Sequence, residues 1–122
     1  TTENVTTFTG AFKDCSSITT APSINTSKAM YCGNMFAGCT NLTTVPTYTF
    51  STVLLTNGMF TDCPNLTNES LNNILGMIAT ATGVSSTNKT LKKLGLSSTQ
   101  ATKCRSLSNW STASNAGWTT GY

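Results

Sequence analysis

A chain of 122 residues with net charge +3 and only 9% charged residues suits one domain with a modest core, and it falls well short of the quarter of charged residues usual in soluble domains. Its 26 Thr, 14 Ser and 12 Asn keep it wet through hydroxyls and amides instead, a habit common in extracellular and virion proteins. No apolar run approaches the ~18 residues that span a membrane, and the absence of His removes the commonest general base and the commonest metal ligand.

The opening "TTENVTTFTG" lacks the basic and apolar regions of a signal peptide. It begins without Met and already inside a repeat, so the chain reads as a fragment or processed end of a larger protein. The repeat is spelled three times: "AFKDCSSITTAP", "MFAGCTNLTTVP" and "MFTDCPNLTNES", each 24 residues after the last. Phe12, Phe36 and Phe60 share one phase. Cys15, Cys39 and Cys63 share another, and Ile18, Leu42 and Leu66 a third. Val5, Ala29 and Val53 recur together, as do Ala11, Met35 and Met59. Turn residues recur too, with Gly10, Asn34 and Gly58 before the Phe and Asp14, Gly38 and Asp62 before the Cys. A fixed period of this size signals an array whose units bury their apolar faces on one another. Like residues are expected to form ladders along the axis.

Each turn is expected to hold one short strand, at Ile18/Ala21, Leu42/Val45 and Leu66/Glu69. The pair Leu91/Leu94 adds a fourth, and with Leu96 completes an L-x-x-L-x-L strand pattern. Pro22 and Pro46 would close their strands. The third turn departs from the pattern. Leu71, Ile74, Leu75 and Ile78 recur at helical spacing, which predicts an amphipathic helix over about 70–81, capped by Asn68 or Ser70 and stopped at Gly83. "SSTQATKCRSL" reads as a shorter helix capped by Ser98 or Thr99, and "NAGWTTGY" as a last strand or ordered tail. The expectation is therefore an α/β repeat solenoid of leucine-rich-repeat type, with one strand per turn. Residues 1–68 would form the turns and residues 69–122 a C-terminal repeat and helical cap, in one continuous domain.

"MFAGCTNLTTVPTYTFSTVLLTNGMF" resembles the repeats of BspA-type leucine-rich repeat proteins, which carry a Phe, then a Cys or small residue, then "NLT", then a strand. The resemblance spans roughly residues 5–66. It implies an extracellular adhesion or recognition module on a bacterial surface or phage tail. It brings no catalytic residues with it. The expected function is non-enzymatic binding of a protein or glycan on a cell surface. The alternative is a structural tail or fibre component whose contacts are oligomer assembly or attachment to an upstream domain. No cofactor, nucleic acid or membrane insertion is expected.

Residues between the paired apolar positions would project from the strands as a binding face: Thr19, Thr20, Thr43, Thr44, Thr67, Asn68, Lys92 and Lys93. Of the four acidic residues, Glu3, Asp14, Asp62 and Glu69, the two aspartates share a repeat phase. At two turns' separation, roughly 10 Å, they stand near the carboxylate separation of an inverting glycosidase. The plainer reading is that Asp suits the turn, as Gly38 does. No C-x-x-C pair marks a metal site, so the column cysteines read as small apolar residues, and Cys32 in its own phase reads the same way. Seven sequons, at Asn4, Asn25, Asn41, Asn65, Asn68, Asn88 and Asn109, follow largely from composition, but the shared phase of Asn41 and Asn65 suggests an amide ladder between turns. Trp110, Trp118 and Tyr122 read as a cap over the core end, or else as a sugar platform. Five of the seven basic residues lie between Lys89 and Arg105 without interleaved aromatics, which favours a solvated face over nucleic-acid binding.

Overall fold

In the computed structural model, which describes residues 1–122, three stretches of irregular coil lie one over another and four helices close the far end. The coil is held by backbone hydrogen bonds that alternate in direction. The N–H groups of Phe8, Gly10, Phe12 and Asp14 donate to the carbonyls of Tyr31, Gly33, Met35 and Ala37 at 2.7–2.9 Å. Those of Cys32, Asn34, Phe36 and Gly38 donate in turn to Leu55, Asn57, Met59 and Thr61 at 2.8–3.0 Å. The residues between them turn back on their own layer, as in Ala11 to Phe8, Lys13 to Gly10 and Cys15 to Phe12. Every second amide thus points to the next layer, and the others close tight turns.

Left-handed residues make this possible. Gly10, Asn34 and Gly58 have φ of 63°, 54° and 71°, and Asp14, Gly38 and Asp62 have 61°, 78° and 56°. Only Gly, and to a lesser degree Asn and Asp, visit this region at low cost. The two columns also alternate in size. A Cβ at Gly38 would run into the Asp14 carboxylate, and one at Gly58 into the Asn34 amide. Where one layer presents a side chain, the layer above presents none.

This arrangement overturns the α/β repeat solenoid. There is no strand and no sheet. Seven residues form isolated parallel bridges: Thr7–Tyr31, Tyr31–Leu55, Thr20–Thr44 and Thr90–Thr119. Just past the Thr20–Thr44 bridge Ala21 N–H still reaches Thr44, but Pro22 and Pro46 follow without an N–H to extend the pairing. Hydroxyls and amides supply rungs instead. Thr26 Oγ1 donates to Thr49 O and Thr52 Oγ1 to Ala29 O, both at 2.6 Å. Asn41 and Asn65 reach Ser16 O and Thr40 O at 2.7 and 2.8 Å. The leucine-rich-repeat-like strand at Leu91–Leu96 is likewise absent. Leu91–Leu94 is a one-turn helix, α2, because Thr90 Oγ1 caps it by accepting from Lys93 N–H at 3.0 Å and Gly95 ends it at φ 105°. The spacing of Leu91 and Leu94 fits one helical turn as well as a strand.

α1 spans Asn68–Thr80, with Thr67 as N-cap, its hydroxyl accepting from Ser70 N–H at 3.1 Å. Leu71, Ile74, Leu75 and Ile78 form its buried stripe. α1 packs along the second layer through Ser70, which accepts from Val45 N–H at 2.9 Å, and Asn73, which donates to Val45 O at 2.9 Å. α3 spans Ser98–Cys104 behind a reciprocal cap of Ser97 and Gln100. α4, Trp110–Asn115, was not foreseen, since its Ser, Thr and Asn residues are poor helix formers. Contacts outside it fix it in place: Asn109 donates to Asn72 O at 3.0 Å, and the chain just beyond it is pinned where the buried Trp118 donates to Ile78 O at 3.1 Å. The end of the chain, expected as a last strand or ordered tail, forms no strand and makes the single bridge at Thr119.

One core of 30 buried residues runs through layers and helices alike. Its axis is the aromatic stack. Phe12 and Phe36 lie 5.3 Å apart and Phe36 and Phe60 5.7 Å apart, with rings within 10° of parallel. Phe36 and Phe60 are fully buried, while Phe12, in the first layer, is half-buried. Phe36→Ala is therefore expected to cost about 3–5 kcal/mol, and Phe12→Ala clearly less, by equilibrium denaturation. Equal losses at the two sites would contradict the stack. Gly38→Ala should cost about 1–3 kcal/mol through its left-handed backbone plus the clash with Asp14. A double-mutant cycle should show Asp14→Gly recovering the second part and not the first.

Candidate functional site

The expected threonine face is only partly assembled. Thr43 and Thr44 donate backbone N–H to Thr19 O, and Thr67 N–H to Thr43 O, so these residues do adjoin. The hydroxyls of Thr43, Thr44 and Thr67, however, are engaged within the chain. Thr43 Oγ1 bonds Thr19 O at 3.1 Å and contacts Thr44 Oγ1 at 3.3 Å, and Thr67 Oγ1 caps α1. Thr19, Thr20, Thr44 and Asn68 stay exposed. Lys92 and Lys93 belong elsewhere. Gly58 N–H donates to Lys93 O and Phe60 N–H to Leu94 O, which places α2 under the glycine and phenylalanine columns, not at the end of the threonine column. Lys93 Nζ is held by Thr87 O at 2.7 Å, and Lys89 Nζ by Ala116 O at 2.8 Å. Those two ammonium groups of the basic cluster are tied down by the chain's own carbonyls.

A different surface has the shape of a site. A cleft of about 670 Å³ crosses the layers beside the second left-handed column. Asp14 and Asp62 stand on it with Gly38 between them, and Gly95 and Tyr122 extend it beyond the third layer. Two layer spacings put the two aspartates roughly 10 Å apart along the axis. Both are exposed, and no donor of the chain bonds either carboxylate. Tyr122 is 60% exposed, the most open of the large apolar side chains. Its ring is nonetheless fixed, because its hydroxyl donates to Leu96 O at 2.6 Å and Lys92 Nζ lies 5.3 Å from the ring centre. The back wall is rigid: Gln100, buried, donates to Cys63 O at 2.7 Å and accepts from Ser97 N–H at 2.9 Å.

Sequence reasoning found half of this. The shared phase of Asp14 and Asp62 was visible, and their left-handed φ supports the turn reading of both. The same geometry also sets both carboxylates on the cleft. Tyr122 reads from the sequence, with Trp110 and Trp118, as a cap over the core end or else as a sugar platform. The structure separates them, since Trp118 is buried against α1 and Tyr122 lines the cleft.

No three His, Cys, Asp or Glu side chains converge as a metal site would require. The five cysteines are free. Cys39 and Cys63 each point a thiol at the Phe carbonyl of the layer below, at 3.1 Å to Phe12 O and 3.0 Å to Phe36 O. Burial pushes the Cys32 and Cys63 thiols up to about 12 and Cys104 to about 11. No helix is long and apolar enough to cross a membrane. No family model matches the chain, and no curated protein or solved structure matches it either.

The raised thiols set an alkaline limit. In the unfolded chain these groups ionise near their ordinary 9.0, whereas the folded chain keeps their protons to about 11–12. Their contribution to stability is thus full below pH about 9 and lost as pH rises toward 12. The denaturant midpoint should fall between pH about 8 and about 10.5, and Cys32→Ala should reduce the slope. Without denaturant, half-exposed Cys15 should react with a thiol reagent well before the other four.

Proposed function

We propose that this chain is a non-enzymatic recognition module exposed at an exterior surface, of a bacterial cell or a virion tail, and that it takes its protein or glycan ligand in the Asp14–Asp62–Tyr122 cleft. The carrying observation is the cleft itself: open, preformed, and carrying two carboxylates that no donor of the chain engages. Ligand sites combine concavity with a few placed polar groups and an aromatic surface. The composition agrees with an exterior setting, since wetness by hydroxyl and amide needs little charge.

Catalysis has little support in the same geometry. Glycoside hydrolysis needs one carboxylic acid sheltered in an apolar pocket as proton donor. Both aspartates stand in solvent, and no histidine exists to serve instead. A second reading, a structural component held by oligomer contacts, draws on the first layer. Phe12, Cys15, Ile18 and Val5 are only half-buried there, where their equivalents in the next layers are buried.

The test is binding of labelled protein to a panel of bacterial and animal cells. Asp62→Arg should lower binding at least tenfold, and Thr44→Arg should leave it unchanged. Binding that survives Asp62→Arg but fails with Thr44→Arg would move the site to the threonine face. If no cell binds and sedimentation shows a stable oligomer, the structural reading replaces this one.

A further inference from the structure

We infer that the cleft is built for a neutral, polyhydroxylated ligand, a short oligosaccharide, whose hydroxyls donate to Asp14 and Asp62 while one sugar face lies on Tyr122. The inference rests on the cleft being the binding site, and it adds the chemical class.

Both alternatives by charge meet an obstacle. An anionic ligand would face two carboxylates that no cation of the chain neutralises. A cationic ligand stacked on Tyr122 would compete with Lys92, whose Nζ lies 5.3 Å from the ring centre. That ammonium already takes up the ring's attraction for a positive charge and repels a second one at that end. A neutral polyol escapes both objections.

The polar inventory points the same way. Ionised carboxylates only accept hydrogen bonds, whereas hydroxyls both donate and accept. Asp14 and Asp62 therefore need donors, and sugar hydroxyls provide them as charge-assisted O–H···O⁻ bonds, the stronger kind. The cleft's own Thr40 and Thr61 add hydroxyls of either sense. The tyrosine is apolar in body and tethered at its tip by Leu96 O, so holding it in place costs little entropy on binding. The extent of the cleft, from the first layer past the third, suits several linked rings better than a single one.

The experiment is calorimetric titration with maltotetraose, cellotetraose, mannotetraose and triacetylchitotriose, alongside chitosan oligomers and a lysine-rich peptide as cationic probes and a sulfated oligosaccharide as anionic probe. At least one neutral sugar should bind. Asp62→Asn should weaken it tenfold or more while the fold is kept, because Asn tolerates the same left-handed backbone. Tyr122→Ala should weaken it tenfold or more, and Tyr122→Phe, which loses only the tether to Leu96, by about threefold. Circular dichroism and thermal unfolding of each variant confirm that it is folded. The inference is overturned if none of the neutral sugars binds, if binding ignores both Asp62→Asn and Tyr122→Ala, or if a charged probe alone binds and is displaced by salt. Loss of cell binding in Asp62→Arg together with no neutral-sugar binding would leave the recognition site standing and remove only its sugar assignment.

Discussion

The structure depends on how the repeating coil disposes of its backbone hydrogen bonds. In residues 8–15 and 32–39, alternate N–H groups cross to the next layer, and the ones between them close turns within their own layer. Each carbonyl opposite them either accepts from the layer before or from a turn. Nearly all N–H groups of these two stretches are therefore satisfied without a strand, which is what burial demands. The scheme works only if the chain reverses curvature twice per layer, and the six left-handed residues provide those reversals. Once the rungs fix the layer spacing, the phenylalanines have no freedom left. They must stack, and the separations of 5.3 and 5.7 Å follow from the backbone as much as from ring attraction.

The same scheme accounts for the composition. Between the left-handed loops the backbone pairs at single residues only, so other groups must bridge the layers. Thr2, Thr26, Thr43 and Thr52 do so with hydroxyls, and Asn41 and Asn65 with amides. Charged side chains would bring desolvation costs to such positions. A chain knit this way spends its threonines on itself. That is why Thr43 and Thr67 of the expected face hold the fold with their hydroxyls, while Thr19, Thr20 and Asn68 keep exposed side chains with no partner in the chain.

How much of this was legible in the sequence follows from what a period can say. The 24-residue repeat reports which residues share an environment, and the Phe, Cys and Asn columns could be read from it. It does not report φ and ψ. An apolar-x-x-apolar spacing fits a strand, a turn or one helical turn, and Thr90 with Gly95 decided the last of these at Leu91–Leu94. The stripe of α1 was plain because four apolar residues repeated at helical spacing, though its cap lay at Thr67 and not at Asn68 or Ser70. α4 was invisible, since contacts to Asn72 and the pinning of Trp118 beyond it impose the helix on residues that do not favour it. The cleft was half-visible. Its aspartates lie in the repeat, but its tyrosine is the last residue and reaches back through a single hydrogen bond to Leu96.

The left-handed column also separates what the fold needs from what it merely permits. Asp14, Gly38 and Asp62 occupy equivalent backbone positions, and Asn34 shows that an uncharged amide serves equally well at the neighbouring turn. The turn requires a small residue that tolerates positive φ, and Gly or Asn meets that requirement without charge. Negative charge at these places brings no ion pair and no hydrogen bond from the chain. Yet the protein has only four acidic residues, and two of them stand on one cleft, a glycine apart, beside a tethered and exposed tyrosine ring. Turn geometry explains why Asp is allowed there. The charge itself has no partner within the chain.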